Sequence, residues 1–382
     1  MQYRMLGNTG LNVSTISMGC EGFLAKSAVE MMNDVQYLME RGINFIDMYS
    51  PNPEFRENFG KAIAGRRDKI ILQSHVCAVF QNGQYLRTRN IEQVKAGFEL
   101  QLQQLQTDYL DVGMIHYVDS MEDWKKIHQG PVMAYVRQLK REGRIHHIGL
   151  SSHNPEVAMA AAKSGAIEVL LFSINPCYDM QPPNEDVEKL WAGESYRHQL
   201  HNQDEQRKAL YELCESKGIG IDVMKAYGGG DLLSAALSPF GRAFTPVQCI
   251  HYGLTRPAVA SVMLGCKTKA EWDAALAYDD ATAQEKDYSG VLAGLEKFTF
   301  DGHCMYCGHC APCAVGIDVA AVTKFLNLAI AQGMVPETVR EHYEVLPHHA
   351  SECIGCGMCE MNCPFGVKIM DNMKKTTGIF GK

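Results

Sequence analysis

Eight of the chain's 14 cysteines stand in two short runs near its C-terminus, and that spacing leaves few ways to fold. Cys304, Cys307, Cys310 and Cys313 read C-x2-C-x2-C-x2-C. Cys353, Cys356, Cys359 and Cys363 read C-x2-C-x2-C-x3-C, followed by Pro364, a spacing that holds iron–sulfur clusters. Two-residue spacers let successive thiolates converge on three corners of one small cluster. In two-cluster electron carriers the fourth cysteine of each run ligates the other cluster. The pattern therefore predicts one [4Fe–4S] cluster on Cys304, Cys307, Cys310 and Cys363, and a second on Cys353, Cys356, Cys359 and Cys313. A pair of four-cysteine zinc sites competes, because these also use C-x2-C doublets. Zinc would not require two quartets of which one ends in Cys-Pro. The first run is the less regular, since Pro312 precedes Cys313 and Ala314 follows it.

The chain has 382 residues, room for one large domain and a small one. Its net charge of -8 argues against a general nucleic-acid binder, whose affinity rests on basic patches. No run of about 18 apolar residues is present, so no membrane span is expected. The first residues lack the basic-then-apolar order of a signal peptide, which predicts a cytoplasmic setting. The other six cysteines (Cys20, Cys77, Cys177, Cys214, Cys249 and Cys266) have no pairing spacing and read as small buried apolar residues.

Ahead of the cysteines, apolar runs alternate with amphipathic stretches. A short hairpin over residues 3–13 comes first, turning at Gly7-Asn8-Thr9-Gly10. The runs are residues 16–20, 44–48, 70–76, 110–116, 146–151, 169–174, 220–226 and 259–265. Helical periodicity marks residues 29–41, 91–105, 132–141 and 205–216. Continuous apolar runs are how buried parallel strands read, and the alternation marks βα units. Eight units predict an α/β chain built on a (β/α)8 TIM barrel over residues 1–286. A doubly wound open sheet is the alternative, but it needs a Gly-rich fingerprint after an early strand, and none is there. Residues 287–382 form the second domain, which binds the clusters. Helical stretches at 287–298, 319–332 and 336–343 make it a helix-containing module. The long link over residues 177–203, with Trp191 and Tyr196, reads as a lid over the barrel mouth.

Barrel chemistry sits at the C-terminal ends of the strands. Those ends carry Asp47 with Tyr49, His75, His116, Ser151-Ser152-His153, Asn175 and Lys225. Burying so many titratable groups is costly without a purpose. His75 beside Asp47 can act as a general base, His116 can orient or protonate an oxygen, and Lys225 can stabilise a developing oxyanion. A metal held by His75, His116 and Asp47 is a rival arrangement. Gly228-Gly229-Gly230 suits a barrel phosphate site.

The stretches Gly42–Asp47, Asp108–His116, Gly143–Ser152 and Gly218–Asp222 resemble those of aldo-keto reductases. With the cysteine module, the whole chain is similar to aldo-keto reductases that carry a C-terminal ferredoxin-like domain. That resemblance implies oxidoreductase activity on a small carbonyl or hydroxyl compound and an Asp–Tyr–Lys–His tetrad. Asp47 and His116 match it; Asn52 stands at the tyrosine position and His75 at the lysine position. Tyr49 is the nearest substitute donor in sequence. It also implies a nicotinamide pocket, NADP(H) or NAD(H), with flavin the lesser option. Ser151, Ser152 and Asn175 would line that pocket, and Gly228, Gly229, Lys267 and Thr268 would cradle phosphate. Ser152, Met224 and Ala275 depart from the residues the family uses. The clusters are then expected to relay electrons between the barrel site and a redox partner protein. Two other readings stay open. One is an electron-transfer subunit with a degenerate barrel; the other is a proton-abstracting isomerase or lyase with structural clusters.

Overall fold

The structure, a computed structural model, describes residues 1–24, 26–81, 83–180, 204–292, 304, 306, 308, 310–332, 334–363 and 365–382. Strands β1 (Tyr3–Met5) and β2 (Asn12–Ser14) pair antiparallel as the N-terminal hairpin. Eight strands then close a parallel barrel in sequence order. They are β3 (Ile16–Gly19), β4 (Phe45–Met48), β5 (Ile71–Val76), β8 (Leu110–Ile115), β9 (Ile145–Ser152), β10 (Val169–Ser173), β11 (Gly220–Met224) and β12 (Val259–Leu264). The apolar runs fall on all eight, and the open-sheet alternative is excluded because β12 pairs with β3.

The barrel is filled and plugged by apolar side chains at its N-terminal end. Leu6 and Val13 of the hairpin bury against Phe45, Val112, Met114, Val169, Leu171, Ala260 and Met263. Outside, helices cover the strands. The helix Ile91–Leu105 begins where Asn90 accepts hydrogen bonds from the Glu92 and Gln93 amides, and it buries Val94, Phe98, Leu102 and Leu105. Those positions recur every three or four residues, so they share one face. Each such side chain contributes about 1.5–3 kcal/mol on burial, and a charge at Phe98 would break the contact.

Between β5 and this helix lies an element with no counterpart among the expected ones. Strands β6 (Ala78–Gln81) and β7 (Gln84–Arg87) form an antiparallel hairpin, with Phe80 opposite Tyr85. Its turn uses Gly83 at φ 78°, and Cys77 at φ 76° swings the chain out of β5. Residues of β7 are all exposed, so no apolar pattern announces the strand.

In the second domain the helices Val319–Gln332 and Glu337–Glu344 match expectation, and Ile369–Phe380 adds a third. Of the helix expected at 287–298, the described part is a single turn, Ser289–Leu292. The module packs on the barrel helix Glu205–Lys217, and its apolar residues join the barrel's outer core. At that junction Glu215 lies 3.8 Å from Lys324 and 3.6 Å from His342, and accepts from the Ala258 amide. Burial alone would raise its carboxyl, but these partners hold it down to about 2. No described helix is long and apolar enough to cross a membrane.

Candidate active site and cluster site

At the barrel mouth one line of hydrogen bonds joins four strand-end residues. His75 Nε2 lies 3.0 Å from Asp47 Oδ1, His75 Nδ1 lies 2.6 Å from His116 Nδ1, and His116 Nε2 lies 2.7 Å from the Tyr85 hydroxyl. A carboxylate only accepts, so His75 donates to it from Nε2 and, in its neutral form, accepts at Nδ1. His116 must then donate from Nδ1 and accept at Nε2, and Tyr85 donates. The proton positions are thus set in one direction, from Tyr85 through His116 and His75 to Asp47. Burial, then the neighbouring His75, keeps His116 well below the ordinary histidine range, so it stays neutral. Burial also pushes the Tyr85 hydroxyl upward.

Tyr85 sits on β7 and is 46% exposed, so its place depends on how the hairpin is held. Arg87 donates to the Tyr117 carbonyl, and Arg89 donates to the carbonyls of both His116 and Tyr117 while bonded to Asp123. These bonds tie the hairpin to the end of β8. Cys77, Tyr117 and Lys225, each just beyond a barrel strand or a strand-end residue, all have positive φ. Such strain gathers at functional sites, where the surrounding structure holds it.

Beneath the line, Gln73 Nε2 donates to Asp47 Oδ1 at 3.0 Å and to Asp222 Oδ2 at 2.7 Å. Burial pushes the Asp222 carboxyl well up, and the charge on Asp47 adds to this against the bond from Gln73. One amide therefore separates a neutral acid from the carboxylate that orients His75. Beside the line, Asp119 accepts from His153 Nδ1 at 2.9 Å, from the His153 amide and from the Ser152 hydroxyl. Burial would raise Asp119, but the bonds from His153 hold it below the usual carboxylate range.

The structure thus brings Asp47, His75 and His116 together, as their strand ends suggest. The tyrosine at the end of the line is Tyr85, which sequence reasoning missed, along with Gln73, Asp119 and Asp222. The Tyr49 hydroxyl makes no hydrogen bond among the described residues, and burial raises it. Asn52 has a structural task, capping the helix Pro53–Ile63 by accepting from the Phe55 amide. Lys225 lies at the end of β11, and its carbonyl accepts from Asn175 Nδ2. The metal alternative does not suit this geometry: the ring nitrogens of His75 and His116 face each other, and no three such side chains among the described residues converge on one ion.

The residues assigned to a nicotinamide are already hydrogen-bonded within the barrel. Ser151 Oγ is taken by the Tyr117 amide, Ser152 Oγ by Asp119, and Asn175 by Tyr178 and Lys225. Gly228, Gly229 and Gly230 have the positive φ of a phosphate loop. Yet Thr268 caps the helix Lys269–Leu276, and the Glu271 carboxylate already accepts from the Lys267 amide where an anion would sit. An existing negative charge opposes a phosphate there.

In the module, Cys313, Cys353, Cys356 and Cys359 line one cavity, closed by Ile317, Val319, Met370 and Met373. This donor set fits a [4Fe–4S] cluster, with apolar walls that limit water access. Of the other set, Cys304, Cys310 and Cys363 are described; Cys307 and Pro364 lie outside the described residues. So do Trp191, Tyr196 and most of the proposed lid. The six scattered cysteines are all buried, and burial raises Cys77 to about 11 and Cys20 to about 12.

Comparison with known proteins adds independent findings. Residues 15–241 match the profile described as the aldo/keto reductase family, and residues 346–368 match a 4Fe-4S binding domain. The chain is 28% identical over 169 residues to aldo-keto reductase YhdN of Bacillus subtilis, covering 41% of this chain and 48% of that protein. The match thus spans about half of that relative's length. It is 26% identical over 278 residues to the B. subtilis oxidoreductase YqkF, covering 69% and 87%. An L-galactose dehydrogenase of Arabidopsis thaliana is 23% identical over 357 residues, covering 91% and 94%. Among solved structures, aldo-keto reductase AKR11C1 of Bacillus halodurans superposes with a TM-score of 0.59 at 24% identity, covering 75% of this chain and 94% of that one; this speaks to the fold.

Proposed function

Because the chain belongs to the aldo/keto reductase family, we propose that it is an iron–sulfur oxidoreductase whose mouth exchanges a proton with a small carbonyl or hydroxyl compound through Tyr85. The observation that carries this is the unbroken line Tyr85–His116–His75–Asp47. To take up the proton of a substrate hydroxyl, Tyr85 accepts it while passing its own to His116. His116 passes the proton on Nδ1 to His75, and His75 passes the one on Nε2 to Asp47. Running the shifts backwards delivers a proton to a carbonyl oxygen. The tetrad's lysine is thus replaced by His75 paired with the same aspartate, and its tyrosine by one from another element. The clusters, when bound, supply one-electron storage in the module, which a redox partner protein in the cytoplasm would draw on or fill. The relative named for L-galactose supports a sugar-like substrate.

The test is Tyr85→Phe beside Tyr49→Phe, assayed anaerobically with sugars and with cyclic alcohols and ketones. Tyr85→Phe should cut turnover by about 10²–10⁴-fold, the worth of a positioned acid–base group. Dithionite should still bleach its clusters normally. Tyr49→Phe should stay near wild type. The reading fails if the effects are reversed or if Tyr85→Phe retains full turnover. Turnover with no electron acceptor present would instead favour the isomerase alternative.

A further inference from the structure

We propose that His153, held by Asp119, is a second substrate-binding group of the mouth and accepts a hydrogen bond from a hydroxyl on the carbon next to the reacting one. The substrate class is then a vicinal hydroxy-carbonyl or diol compound, such as a polyhydroxylated ring; this rests on the oxidoreductase reading above.

Asp119 fixes His153 in one tautomer. Its Oδ2 takes the Nδ1 hydrogen at 2.9 Å, so in the neutral ring the lone pair is on Nε2. No hydrogen bond within the described residues reaches that Nε2. The residue is only 6% exposed and its partner 3%, yet Nε2 is not among the atoms shut off from solvent, so the small open part of the ring includes it. Loop structure alone does not explain it. Asp119 is already engaged by the His153 amide and by Ser152, and Asn154 Nδ2 donates to the Asp119 carbonyl. The ring's second nitrogen adds nothing to those bonds.

Its position relates it to the proton line. The Tyr117 ring lies 6.1 Å from that of His116 and 5.2 Å from that of His153, so the two histidines flank one aromatic ring. The mouth therefore offers two different polar ends. Tyr85 can give or take a proton at the reacting oxygen, whereas His153 Nε2 can only accept. A simple ketone or alcohol answers the first and leaves the second unmatched. A neighbouring hydroxyl answers both.

The experiment uses the full-length protein with 2-hydroxycyclohexanone and cyclohexanone, their binding read by ligand-observed NMR. The key variant is His153→Asn, whose amide can still donate to Asp119 but has nothing at the Nε2 position. Wild type should bind the hydroxyketone roughly 2–10-fold more tightly, the worth of one neutral hydrogen bond. His153→Asn should bind the two ligands alike, at an unchanged melting temperature. His153→Gln, which can still present an acceptor, should keep part of the preference. The proposal is overturned if wild type shows no preference or if His153→Asn keeps it. It is also overturned if both variants lose it together with a lowered melting temperature, because the role is then structural. A binding preference without redox turnover would keep this proposal and sink the oxidoreductase reading; turnover without the preference would do the reverse.

Discussion

Replacing Asp47 with asparagine changes few atoms and removes the terminus of the proton line. In the native protein every donor points toward Asp47 because a carboxylate can only accept. Asparagine can still accept from His75 and Gln73, so the side chains need not move. It cannot take up a proton, however. A proton leaving Tyr85 would come to rest on His75, which is 1% exposed, as a buried imidazolium without its counter-charge. The His75–Asp47 distance of 3.0 Å gives the size of the loss. At an effective dielectric of about 20, two unit charges at that separation attract by about 5 kcal/mol. If the transition state carries half or more of that charge separation, turnover falls by about two to four powers of ten. The assay is anaerobic stopped-flow, following cluster absorbance with substrate in excess, beside a thermal melt. The melt should change little, since the asparagine oxygen keeps the hydrogen bonds that His75 and Gln73 donate. Turnover within about threefold of wild type, at unchanged stability, would refute the proton line, because it falls far short of the loss of about two powers of ten or more expected above.

Two further outcomes follow from the module. Cys313→Ala should remove about half of the iron and sulfide, because this residue lines the cavity of Cys353, Cys356 and Cys359 rather than serving its own run; loss of the other cluster's spectroscopic signal would reverse the assignment. The second outcome concerns pH and the contact between barrel and module. Glu215 is lowered from 4.5 to about 2, so its contribution is whole above 4.5 and fades as pH falls toward 2. His342 is raised above 6.5 by Glu215, so its contribution is whole below 6.5 and is lost as pH rises through the raised value. Docking should therefore be firmest between those limits, and limited proteolysis should release the module faster at about pH 9 than at about pH 6. Equal rates would contradict this.

Much of the molecule could be read from local pattern. Eight apolar runs separated by amphipathic stretches specify parallel strands and covering helices, because burial on both faces leaves no room for polar alternation. Cysteine spacing specifies cluster ligation, since a two-residue spacer fixes how near two thiolates can come. Asp47, His75 and His116 were visible because the fold rule places chemistry at strand ends, and a strand end can be located in sequence. Nothing local could reveal Tyr85. It lies on an exposed hairpin, ten residues beyond His75, and reaches His116 on another strand only because Arg87 and Arg89 tie that hairpin to β8. Nor could sequence choose between Tyr49 and Tyr85, because nearness along the chain is not nearness across the barrel mouth. The single amide between Asp47 and Asp222 was decided likewise. Each depends on distances between separate elements, and such distances exist only once the barrel has closed.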